Sequence, residues 1–102
     1  MLLHMGADQC VALDKLLLVI NARGMQPRAR AYIERAKREK RYIACDRGVP
    51  KSYVVAEAPG GALVYGTMIS SGTLEKRWRQ TMMPLYAGMP AWNTKTGEAG
   101  GD

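Results

Sequence analysis

Apolar and polar positions change over in short bursts along most of the chain. Met1 to Met5 and Cys10 to Leu13 are brief apolar segments on either side of Gly6-Ala7-Asp8-Gln9. Those four residues have turn chemistry, so the pattern predicts two strands joined as a hairpin. Leu16 to Ile20 is an unbroken apolar run of a strand's length, expected to be buried on both faces and therefore central in its sheet. Gly24 and Pro27 then punctuate the chain, and Pro27 favours a helix beginning at or just after it.

Over residues 28 to 40 the apolar period lengthens to three and four. Ala29, Tyr32, Ile33 and Ala36 form a narrow stripe on an otherwise charged helix. Arg41 to Cys45 returns to strand character, and the turn-rich loop Asp46-Arg47-Gly48-Val49-Pro50-Lys51 leads into a β-branched and aromatic inner strand over Ser52 to Glu57. Ala58-Pro59-Gly60-Gly61 suits a tight type II turn, which pairs Ala62 to Met68 antiparallel with that strand. Ser70, Ser71 and Thr73 offer capping hydroxyls before a short helix over Leu74 to Gln80, with Leu74 and Trp78 on one face. From Pro84 onward Gly and Pro interrupt any period, so residues 1–83 are expected to form a single domain and residues 84–102 a mobile tail, with Tyr86, Met89 and Trp92 able to pack. The fold class that follows is α+β: a small, mostly antiparallel sheet with one main helix and a short C-terminal helix.

A length of 102 residues fits one domain, and 47% hydrophobic with 24% charged residues is ordinary for a globular chain. The longest apolar run is too short to cross a membrane, and Asp8, Asp14 and Lys15 break the N-terminal pattern that a secretory signal needs. A cytoplasmic protein with no membrane partner is expected. Cys10 and Cys45 both lie in apolar stretches and are expected as buried free thiols. His4 is the only histidine, and no Cys-x-x-Cys or paired-His spacing exists, so a zinc site lacks ligands. His4 itself reads as a half-buried structural residue. A Ser–His–Asp set would depend on it, and no phosphate-loop or dinucleotide-binding glycine pattern occurs. The expectation is a non-enzymatic protein with no cofactor.

Charge changes the picture most. The net charge is +6, and residues 28–41 carry seven basic residues against Glu34 and Glu39, so +5 resides there. Such a run is either a solvated face or a polyanion site. Arg47 and Lys51 in the loop, and Lys76, Arg77 and Arg79 on the second helix, favour phosphate contact. The tyrosines are explained by core packing, so duplex DNA is favoured over single strands. The candidate contacts are Arg28, Arg30, Arg35, Arg38, Arg41, Arg47 and Lys51, followed by Lys76 and Arg77. A folded body of about 83 residues without phenylalanine or a metal is also expected to gain from homo-oligomerisation.

Three blocks resemble a known family. Leu3-His4-Met5-Gly6-Ala7-Asp8, Gly48-Val49-Pro50-Lys51-Ser52-Tyr53-Val54-Val55 and Ile69-Ser70-Ser71-Gly72-Thr73-Leu74-Glu75-Lys76-Arg77 are similar, in order and spacing, to the RemA/RemB family of small bacterial extracellular-matrix gene regulators, closest to the RemB-like branch. The likeness spans residues 1 to about 79. It implies a small α+β domain assembling into rings through its sheet edges and, from the RemA-like branch, a LytTR-like DNA-binding fold with a role in transcription. In that branch the loop before the strand is arginine-rich. Here it reads Arg47-Gly48-Val49-Pro50-Lys51, so Lys51 carries over and Arg47 is an adjacent substitute. The alternative is a structural or protein-interaction ring module that does not bind DNA.

Overall fold

In the computed structural model, which describes residues 1–6 and 8–82, the chain folds as an α+β domain in three layers. Strands β1 (Leu2–His4) and β2 (Cys10–Ala12) pair antiparallel as a separate hairpin, with Leu3 opposite Val11 and both side chains buried. A single 3-10 turn at Leu13–Lys15 leads to β3 (Leu16–Asn21). Helix α1 (Pro27–Arg38) follows, then β4 (Tyr42–Ala44), β5 (Ser52–Ala56), β6 (Leu63–Thr67) and helix α2 (Ser71–Met82). The four-stranded sheet has the order β3-β5-β6-β4, antiparallel except for the parallel pair β4–β6.

Alternation along β5 and β6 builds two cores. Tyr53, Val55 and Val64 meet Ile33 and Ala36 of α1 on one face, with half-buried Tyr32 and Tyr42 at the margin. Val54, Ala56 and Tyr65 meet Leu3, Met5 and Val11 of the hairpin and Leu74 of α2 on the other. The two helices therefore lie on opposite sides of the sheet. All five residues of β5 are buried, as expected of an inner strand, and β5 pairs with β6 antiparallel as expected, with Val54 opposite Tyr65. Gly61 N–H closes the intervening turn onto the Ala58 carbonyl (3.1 Å). Gly61, with φ of 117°, is the left-handed residue rather than Gly60, so the turn is not type II.

Strand β3 departs from expectation. It is an edge strand, not a central one, and Leu17 and Leu18 are 56% and 49% exposed. The register slips between Leu16 and Leu18, so a bulge at Leu17 turns these two side chains outward while Leu16, Val19 and Ile20 still pack inward. An apolar run satisfies an outward edge as readily as a central position when a bulge divides it between the two.

Buried polar groups fasten the layers. Thr67 Oγ1 donates to the Met5 carbonyl (2.6 Å) and accepts from Ile69 N–H (3.1 Å), while Ser52 Oγ donates to the Ile69 carbonyl. Asp46 accepts from Met68 N–H (2.9 Å). Both cysteines are free. Cys45 is buried as expected, but Cys10 is exposed, because in a three-residue strand only Val11 can point inward. His4 is likewise exposed rather than half-buried, for it shares the outer face with Cys10. Among the described residues no helix is long and apolar enough to cross a membrane. The expected tail from Pro84, with Tyr86, Met89 and Trp92, lies outside the described residues.

Candidate functional site

Helix α1 begins with Pro27 at its first position, where the missing N–H costs nothing and the fixed φ suits the helix. It closes two residues earlier than its charge pattern suggests. Lys40 adopts a left-handed φ of 60°, so that its N–H reaches the Lys37 carbonyl (3.2 Å) and Arg41 N–H reaches that of Ala36 (2.8 Å). Arg28, Arg30, Arg35 and Arg38 are all exposed along the helix. Arg28 and Arg38 are separated by ten residues, about 15 Å of rise. Arg35 lies over the Tyr32 ring at 5.7 Å, which fixes part of its stem without consuming its charge.

Arg41 is placed differently. Its Nη1 donates to the Ala62 carbonyl, while Nε and Nη2 meet Glu39 Oε1 at 2.8 and 2.7 Å. The guanidinium also lies 5.7 Å from the Tyr32 ring centre. The hydrogen bond from Arg41 holds the Glu39 carboxyl below its usual range, and the same bond raises Arg41. This arginine ties the end of α1 to the start of β6. Lys37, 3.5 Å from Glu34 and 5.0 Å from the Tyr42 ring centre, is partly neutralised on the outer face.

The loop between β4 and β5 sits at the other end of the sheet, where β3, β4 and β6 finish and β5 begins. Lys51 N–H donates to the Thr67 carbonyl and the Lys51 carbonyl accepts from Ala22 N–H, which pins the loop's last residue between two strand ends. Its side chain, like that of Arg47, is exposed. Asn21, Ala22, Arg23, Pro50, Lys51, Ser70 and Ser71 line an open cleft of about 470 Å³ here. Ser70 caps α2, its Oγ accepting from Thr73 N–H (3.2 Å), so the first turn of that helix faces the same end. Arg23 is a basic residue that sequence reasoning passed over. It stands alone between a strand and a glycine, outside the charge run, and only the chain's return through Lys51 brings it into company.

The remaining two candidates lie on the opposite layer. Lys76 is exposed on α2, whereas Arg77 is half-buried and donates to the His4 carbonyl (3.1 Å), tying α2 to β1. Arg79 pairs with Glu75 at 2.9 Å. Thus Arg23 and Lys51 share a cleft at one end of the sheet, Arg47 lies in the loop that Lys51 ends, Arg28 opens α1 beside Leu17 and Leu18, the rest of the α1 set extends along one face, and Lys76 and Arg77 belong to the other. Arg28, Arg30, Arg38, Arg47, Lys51 and Lys76 make no side-chain hydrogen bond or ion pair among the described residues.

No family model matches the chain, and no curated protein matches it.

The described residues hold no group of three or more His, Cys, Asp or Glu side chains able to bind a metal. What the arrangement offers chemically is a set of exposed cations beside the first turn of α2, suited to phosphate oxygens.

Proposed function

We propose that the chain is a non-enzymatic, oligomeric, cytoplasmic regulator of transcription that binds duplex DNA through the phosphate backbone. Genes of the extracellular matrix or biofilm type are its targets on the strength of the RemA/RemB resemblance. The observation that carries the reading is the cleft that Arg23 and Lys51 share with Ser70 and Ser71 at the first turn of α2, with exposed Arg47 in the adjoining loop and Arg28, Arg30, Arg35 and Arg38 exposed along α1. Arg41 and Arg77 take structural positions within this scheme. Oligomerisation is supported by β3, an edge strand whose outer side has no strand partner among the described residues and which carries Leu17 and Leu18 outward. Repeating a modest cation cluster around an assembly such as a ring raises its avidity for one duplex.

Fluorescence anisotropy with mixed-sequence duplex DNA tests this. With about six phosphates neutralised, affinity falls by roughly a thousandfold between about 50 and 200 mM salt. The pair Arg47→Ala and Lys51→Ala weakens binding with the oligomer mass unchanged by light scattering, and Arg23→Ala weakens it in the same direction. Lys76→Ala has a smaller effect. Flat salt dependence, or full binding by the double variant, removes the reading. The exposed β3 edge also favours a second reading, a structural or protein-interaction ring that leaves DNA alone; the absence of any DNA complex at low salt alongside an intact oligomer selects it.

A further inference from the structure

Cys10 and His4 are register partners across the β1–β2 hairpin, both on its outer, exposed face. His4 Nδ1 lies 3.2 Å from Cys10 Sγ. Leu3 and Val11 fill the inner face, so the pleat that buries them fixes the thiol and the imidazole side by side in solvent. Arg77 brings a guanidinium from α2 to the His4 carbonyl, adding positive charge at this edge of the hairpin. Exposure and nearby cationic or basic groups characterise cysteines that react. Cys45 is the reverse case: it lies in the core and burial pushes its thiol up to about 11.

We propose that Cys10, with His4 as its base, is a site of reversible thiol modification by small disulfides. In the step, the thiol proton passes to His4 Nδ1 as Sγ attacks one sulfur of the disulfide. The disulfide's S–S bond breaks, a bond between Cys10 and that sulfur forms, and the imidazolium gives its proton to the departing thiolate or, where that thiolate is only weakly basic, to water. The disulfide is the only oxidant, and its second sulfur leaves reduced. The adduct forms on the outer face of the hairpin and its chemistry uses neither Arg47 nor Lys51, so this inference does not depend on DNA binding.

The test is the reaction of the native full chain with dithiobis(nitrobenzoate), a chromogenic aromatic disulfide. One equivalent of thiolate is released in a fast phase, and the second, from Cys45, only on unfolding. Cys10→Ser abolishes the fast phase. His4→Gln slows it by about tenfold, because an unassisted thiol is only a few per cent thiolate at neutral pH, and added imidazole restores part of the rate. Both substitutions sit on the outer face, and circular dichroism verifies that the fold persists. The proposal fails if folded His4→Gln reacts as fast as the unaltered chain, if imidazole restores nothing, or if both thiols react at one rate in the native protein.

Discussion

Single residues set the tolerances of this domain, and Cys45 shows how. Its thiol is buried against Tyr65 and the hairpin core, with Asp46 next in sequence, and both burial and that carboxylate favour the neutral form. The folded thiol titrates at about 11 against an ordinary 9.0. As pH rises through that interval the unfolded chain loses its proton first, so stability is intact below pH 9 and declines towards pH 11. Tyr42, raised by burial, acts with the same sign. Thermal unfolding of Cys45→Ala, compared with the unaltered chain across this window, is expected to show a shallower alkaline decline, from a lower neutral starting point because a small cavity replaces the sulfur. Residue scale is also where sequence reading was weakest. Cys10 and Cys45 have equally apolar neighbours, and only the pleat of a three-residue strand sends one outward. Arg41 counts as a cation in any charge tally, yet its donors serve Glu39 and Ala62.

Elements were more legible than residues. The β5–β6 hairpin, the N-terminal hairpin and the helix after Pro27 followed from period and punctuation, because each is determined by neighbours in sequence. The second helix begins at Ser71 rather than Leu74 and runs 12 residues rather than being short, since of the hydroxyls the sequence offers it is Ser70 that caps it. The position of β3 was not, since a run of five apolar residues states that side chains avoid water without stating which partner removes it. Leu17 and Leu18 make this a test of assembly. Leu18→Lys places a charge on the open edge, at a side chain already 49% exposed beside Arg28, Ala29 and Tyr32. It is expected to leave the circular dichroism spectrum and melting temperature of the folded unit nearly unchanged while reducing the mass seen by light scattering to that of one chain. An unaltered oligomer mass assigns assembly to another surface. The basic cluster was half legible: the charge run announced α1, while the meeting of Arg23 with Lys51 depends on β3 and β5 being antiparallel neighbours, with Asn21 opposite Ser52.

At the scale of the whole molecule, one pairing governs how the chain must come together. Strand β4 does not pair with its successor β5 but skips to β6, in parallel, with Tyr42 opposite Val64. Its partner is thus synthesised after it and is also the partner of β5 in the local β5–β6 hairpin. A local hairpin loses little chain entropy on closure, whereas the insertion of β4 and α1 waits on a longer loop. Folding is expected to be ordered on that ground, with the β5–β6 ribbon as nucleus and β4 arriving late. Measured φ-values should be high for Val54→Ala and Val64→Ala and low for Ile43→Val, and the reverse ranking overturns this order. The same topology makes β4, short and at the sheet's margin, the first strand to detach when the native protein opens locally, so its amides are expected to exchange with solvent before those of β5.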